Sequence, residues 1–126
     1  MIAVDSCSFI AFLEGEEATD TKWIEAASRN GKLILPPVVL TEVLSDGTLS
    51  RNAVEVIKSL PVLPIFLDFW SRAGAVRAKL LAKKLKARLA DTLIAQVCID
   101  HGLPLITRDN DFRHFVKHAG LVLFEG

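Results

Sequence analysis

Acidic residues in this chain recur just past short apolar runs. MIAVD ends on Asp5, and LPLITRDNDF passes from an apolar run directly into Asp109 and Asp111. Glu42 follows KLILPP within the helical stretch VVLTEVL, and Asp91 lies in ARLADTLIAQVCIDHG, which delivers the chain to LPLIT. Each acid alone has an ordinary explanation. Asp5 suits a strand-ending turn, Glu42 a surface helix position, and Asp109-Asn110-Asp111 a helix cap. Asp91 suits a helix N-terminus, where a carboxylate gains roughly 0.3–1 kcal/mol. Brought together, they repel: two unit charges about 4 Å apart cost about 4 kcal/mol at an effective dielectric of about 20. A divalent cation removes that cost, and Mg²⁺ or Mn²⁺ is held by one or two carboxylates with water completing an octahedron. No Cys/His spacing suits zinc, so a hard cation is the consistent choice.

Whether the acids meet depends on the elements that carry them. Five short apolar runs, MIAVD, KLILPP, PVLPIF, LPLIT and LVLF, alternate with helical segments. TDTKWIEAASRNG closes on Asn-Gly, VVLTEVLSDG places apolar residues at 39, 40, 43 and 44, and SRNAVEVIKSL opens on a capping Ser50. SFIAFLEGEE and DFRHFVKHAG also read as helices. The prolines of PVLPIF place that run at an edge. The pattern predicts one α/β domain over residues 1–126, a three-layer α/β/α sandwich around a mainly parallel five-stranded sheet. Ligands bind beyond the carboxyl ends of strands in such sheets, and Asp5, Glu42, Asp109 and Asp111 share that edge.

The composition, 51% hydrophobic and 24% charged, is that of a globular chain, and 15 basic residues balance 15 acidic ones. Net charge therefore gives no sign of nucleic-acid or membrane binding, but its distribution does. Seven of the 15 basic residues, from Arg72 to Arg88, lead into Asp91. Arg77, Lys83, Lys84, Lys86 and Arg88 are candidates for a phosphate backbone. The bland alternative is a solvated helix face opposite Leu80, Leu81 and Leu85. Arg108 either touches phosphate or pairs with an acid. His114 and His118 read as surface histidines, His101 as a dipole partner at a helix C-terminus, and Glu14, Glu16 and Glu17 as a solvated loop. Trp23, Trp70, Phe66 and Phe69 read mostly as core, with an interface position as the alternative for some of them. No apolar run approaches the roughly 20 residues that span a bilayer. Cys7 and Cys98, both in apolar surroundings, suit a reducing compartment, so the expectation is a cytoplasmic protein with no membrane partner.

DSCSFI at 5–10, LPPVVLTEVL at 35–44, LADTLIAQVCIDHGLPLITRDNDF at 89–112 and the closing LVLF resemble the PIN domain. The size and organisation are similar to those of the VapC-like toxin nucleases of type II toxin–antitoxin modules. The resemblance implies catalytic acids at Asp5, Glu42, Asp91 and Asp109, with Asp5, Asp91, Asp109 and Asp111 around Mg²⁺ or Mn²⁺. It implies supporting hydroxyls at Ser6 and Thr107. The family usually begins D-T-N or D-T-S; Cys7 replaces the Asn or Ser here, and since a thiol is a poor donor, the support of Asp5 is expected either to be weaker or to come from Ser8. Periodicity alone makes 70–101 one helix, whereas the resemblance implies a break around 84–89. The implied activity is endoribonucleolytic hydrolysis leaving 5′-phosphate and 3′-hydroxyl ends, in a homodimer neutralised by an antitoxin. A catalytically silent RNA- or protein-binding PIN module, or an RNA-processing nuclease that is not a toxin, are the alternatives. A phosphoryl-accepting receiver domain would require an acidic pair after the first strand and a late lysine, and both are missing.

Overall fold

A computed structural model describes all 126 residues. Three of the five short apolar runs form a parallel sheet: β1 (Ile2–Val4), β2 (Leu33–Ile34) and β3 (Leu105–Ile106), in the order β2-β1-β3. Ile2 and Ala3 pair with Leu33 and Ile34, while Ala3 and Val4 pair with Leu105 and Ile106. Between them run α1 (Ser6–Leu13), α2 (Thr19–Arg29), α3 (Pro37–Leu44), α4 (Arg51–Ser59), α5 (Phe69–Ala82) and α6 (Leu89–His101). A 3₁₀ turn (Asn110–Phe112) then leads into α7 (Arg113–Ala119). The chain crosses from β1 to β2 on one side and returns past β1 to β3 on the other. With right-handed crossovers, the two groups of helices cover opposite sheet faces. Ala3, Val4, Leu33, Leu105 and Ile106 are accordingly buried.

The sheet has three strands, not the expected five. PVLPIF and LVLF survive only as single-residue parallel bridges, Leu35 to Val62 and Leu105 to Leu123. Pro61 and Pro64 flank the first bridge and lack N–H groups, so one rung forms. Leu35 N donates to Pro61 O at 2.9 Å, and Leu63 N donates to Leu35 O at 2.9 Å. The second bridge can extend no further than β3, a two-residue strand that ends where the chain turns at Thr107.

The helices end where their local chemistry requires. Ser50 Oγ accepts from Ala53 N at 3.0 Å to cap α4, and α2 stops at Asn30 before a left-handed Gly31. The stretch 70–101 is broken, as the resemblance implies. Lys84 takes a left-handed φ of 59°, Leu85 N donates to Leu80 O, and Arg77 Nε donates to Ala87 O at 2.8 Å. Asp91 thus falls in the first turn of a new helix. Phe69 is core, but Trp70 is 63% exposed, Phe66 is also exposed, and Trp23 packs edge-on against Phe124 near the C-terminus. Cys98 is buried, whereas Cys7 is exposed rather than apolar-packed. No helix is long and apolar enough to cross a membrane.

Phe112, immediately behind the acidic pair, is fully buried with its ring centroid 5.9 Å from that of Phe115. It pins the acid-bearing turn to the core. Phe112→Ala is expected to cost about 3–5 kcal/mol in denaturant unfolding. A loss below about 1 kcal/mol would mean that the turn is anchored elsewhere.

Candidate metal centre

The site grows from the ends of β1 and β3. β1 stops at Asp5, whose backbone is extended (φ −78°, ψ 154°) and whose side chain caps α1: Ser6 N donates to Oδ1 at 2.7 Å. The other oxygen, Oδ2, accepts from Thr107 Oγ1 at 2.9 Å, the first residue past β3. The same Thr107 hydroxyl accepts from Asp109 N at 3.0 Å, and Asp109 Oδ1 accepts from Asp111 N at 2.9 Å, starting the 3₁₀ turn. α3, opened by Pro37, carries Glu42 to the same edge, where Ser6 Oγ donates to its Oε1 at 2.5 Å. Asp91 arrives on the first turn of α6, which packs against α3.

Asp5 and Asp91 both lie in the field of other acids of this edge. Burial pushes the Asp5 carboxyl up to about 6; the Thr107 and Ser6 hydrogen bonds oppose the rise, and the charges of Asp91 and Asp109 add to it. Asp91 is likewise pushed up to about 6, first by burial and then by Asp109, against the pull of Arg88 and with smaller contributions from Glu42 and Asp111. The Cys7 thiol lies in the same field. It is raised by burial and then by Asp5, Asp109, Asp91 and Glu42.

Among the buried carboxylate oxygens, Asp91 Oδ2 stands apart. That atom is buried and has no hydrogen-bond partner, an arrangement that costs roughly 1–3 kcal/mol, more for a charge. No three His, Cys, Asp or Glu side chains approach closely enough to enclose an ion unaided. The expected ligand set Asp5, Asp91, Asp109 and Asp111 is therefore not a closed cage, because Asp109 caps its own turn and Asp111 Oδ2 pairs with Lys86 Nζ at 3.1 Å. Oxygen-only donors around one orphaned, buried carboxylate oxygen fit a hard divalent cation that keeps much of its water.

The surrounding residues divide differently from the sequence expectation. Ser6 binds Glu42, and Thr107 joins Asp5 to Asp109, but Ser8 does not support Asp5: its hydroxyl is buried without any partner. The nearest donors to Asp5 come from its own helix start and from β3, so the missing Asn or Ser at position 7 leaves no gap for Ser8 to fill. Arg108 is committed to acids rather than phosphate. Its Nε and Nη2 hold Asp20 at 2.7 and 3.0 Å, and its Nη1 reaches Glu16 at 3.1 Å, so Glu16 is not merely solvated. Arg77 is committed to the Ala87 carbonyl, and Lys86 to Asp111. Lys83, Lys84 and Arg88 make no such bond. Sequence reasoning missed the Lys86–Asp111 pair. The only available signal was a lysine placed in the break that precedes Asp91.

Comparison with known proteins identifies the family and the fold. The family model for the PIN domain matches residues 2–117. Similar solved structures include VapBC2 from Rickettsia felis bound to a DNA fragment from their promoter, with a TM-score of 0.76 and 18% identity over 98% of each chain. DNA-bound VapBC from Salmonella typhimurium has a TM-score of 0.73 and 19% identity, again over 98% of each chain. VapBC-5 from Mycobacterium tuberculosis, a member of the VapBC family of toxin–antitoxin systems, has a TM-score of 0.66 and 19% identity over 99% of this chain and 98% of that one. No curated protein matches the sequence. At such identities the structural likeness concerns the fold, but the family model spans nearly the whole sequence, and the chain belongs to the PIN domain family.

Proposed function

We propose that this chain is an Mg²⁺- or Mn²⁺-dependent endoribonuclease and the toxin of a toxin–antitoxin pair. The observation that carries the metal reading is Asp91 Oδ2, buried without a partner beside Asp5, Glu42 and Asp109. When bound, a divalent ion supplies Lewis-acid polarisation of a phosphate and a more acidic water. Asp91 and Asp5 would hold it, with Asp109 and Asp111 as the further acids of the site. Thr107 and the Ser6 N–H fix both oxygens of Asp5, so its carboxylate is oriented before any ligand arrives. Glu42 is exposed and held at one oxygen by Ser6. It is placed to accept the proton of an attacking water, with hydrolysis leaving 5′-phosphate and 3′-hydroxyl ends.

The toxin reading is supported by family membership together with the shared fold of VapBC-5, which is described as part of a toxin–antitoxin system. An antitoxin and a second copy of the chain are the proposed protein partners. Trp70 and Leu89, both exposed, border a groove between α5 and α6 that offers apolar surface for such contacts.

Calorimetric titration of Mn²⁺ is expected to show binding to the wild type and at least about tenfold weaker binding to Asp91→Asn. The variant is expected to lose RNA cleavage by about 10²-fold or more. Absence of Mn²⁺ binding to the wild type at millimolar metal would leave a non-catalytic PIN module as the better reading.

The raised carboxyls set the pH behaviour. Both protons must leave for the ion to enter, so with two groups near 6 the apparent Mn²⁺ affinity should fall about 100-fold from pH 7 to pH 5. Metal affinity unchanged over that range would remove Asp5 and Asp91 from the site.

Without metal the sign reverses. Folded-state values above the ordinary carboxylate range mean that the native state binds more protons than the unfolded chain between pH 4 and 6. Stability from these groups is therefore full below about 4 and is lost as pH rises through about 6. Asp91→Asn should accordingly raise the metal-free Tm at pH 7 by a few degrees, a gain that shrinks on acidification. A lowered Tm at pH 7 would show that the Asp91 charge is compensated.

A further inference from the structure

Two segments of the chain, 69–90 and 112–124, contain no acidic residue, yet together they hold nine of the 15 lysines and arginines. The fold packs them against each other. α5 lies on α7, and Lys79 Nζ crosses between them to donate to the His118 carbonyl at 2.9 Å. The His118 imidazole feels the crowding. It is held below its ordinary range by loss of hydration and then by the charges of Lys83, Lys117, Lys79 and His114.

Four of the nine cations are spent inside the molecule: Arg72 on Asp100, Arg77 on the Ala87 carbonyl, Lys79 on the His118 carbonyl, and Lys86 on Asp111. Lys83, Lys84, Arg113 and Lys117 have no ion-pair partner. An ordinary solvated surface intersperses both signs of charge, and this chain has 15 acids with which to do so. Concentrating unpaired cations on one face instead is an arrangement that an external polyanion compensates. The face is also contiguous with the acidic edge. The 3₁₀ turn that begins at Asp109 runs straight into α7, whose seven residues extend about 10 Å further, a length that covers a few phosphates of a strand.

We propose that the α5–α7 face is a phosphate-backbone track for single-stranded RNA, with Lys83, Lys84, Arg113 and Lys117 as its contacts, leading to the acidic edge. Its role in delivering substrate rests on the nuclease reading; its capacity to bind RNA does not.

The test uses the full-length chain and a fluorescein-labelled, unstructured 20-nucleotide RNA in EDTA, read by anisotropy across a salt series. Lys83→Glu/Lys117→Glu is expected to weaken binding at least about tenfold at low salt and to flatten the salt slope by about 1–2, at roughly 0.7 per lost phosphate contact. Lys83→Gln/Lys117→Gln should show a smaller loss in the same direction, and unchanged Mn²⁺ calorimetry in both variants certifies the fold. Wild-type affinity and slope in both variants would overturn the track, as would a wild type that binds no RNA. A poly-glutamate peptide that competes on equal terms with the RNA would also overturn it, assigning the face to an acidic protein segment. Mn²⁺ binding by the wild type is scored separately, so failure of the track and failure of the metal reading are distinct results.

Discussion

The Thr107 hydroxyl holds the acidic edge together. It donates to Asp5 at the end of β1 and accepts from the Asp109 N–H just past β3. Parallel strands bring their carboxyl ends to one edge, but they leave open how the side chains beyond those ends are oriented. A single hydroxyl used in both directions settles that for two acids, and Ser6 repeats the device by supplying its N–H to Asp5 and its hydroxyl to Glu42. Asp5, a residue only 3% exposed, therefore has both oxygens fixed. What remains unsatisfied is displaced onto Asp91, whose helix reaches the edge without bringing a donor to Oδ2.

The arrangement opposes local stability. Two carboxyls raised to about 6 by burial and mutual repulsion are a liability at neutral pH that the surrounding core must outweigh. The core is built to do so. The central strands are buried on both faces, and Phe112 and Phe115 clamp the turn that bears Asp109 and Asp111. Functional sites characteristically hold such locally unfavourable charge, compensated by packing elsewhere. The opposite ends of the charge inventory are handled alike, with acids gathered at the strand ends and unpaired cations on α5 and α7.

How much of this was legible in the sequence depends on the range of each interaction. Asp5, Glu42, Asp91, Asp109 and Asp111 could be placed on one edge because strand ends and helix starts follow from local patterns. The Gly31 stop and the Ser50 cap are local features too, whereas periodicity runs through the break before Asp91 and only the family resemblance implies it. The strand count was overestimated because apolar character marks PVLPIF and LVLF as buried, whereas their pairing is limited by prolines and by the two-residue length of β3. The partners of Arg108, Ser8 and Lys86 were not legible for a different reason. Their partners, or the lack of them, are set by contacts such as Arg108 to Asp20, which are 88 positions apart in the chain and leave no periodic trace. Trp70 was read as core on residue type alone, and residue type does not specify which face of a helix is covered.

The break between α5 and α6 connects these observations. Lys84 in a left-handed conformation turns the chain, Arg77 ties the turn down through the Ala87 carbonyl, and Lys86 reaches across to Asp111. One short linker thus begins the helix that presents Asp91, ends the helix that carries the unpaired lysines, and neutralises one acid of the cluster. Lys86 and Asp111 are both partly exposed, so their pair contributes little stability, about 0–1 kcal/mol. A bond that weak fixes no structure by itself; an incoming phosphate or cation displaces it at small cost. Lys86 is therefore better understood as a resting counter-ion for Asp111 than as a permanent tether. The linker places it where the acidic edge and the basic face meet.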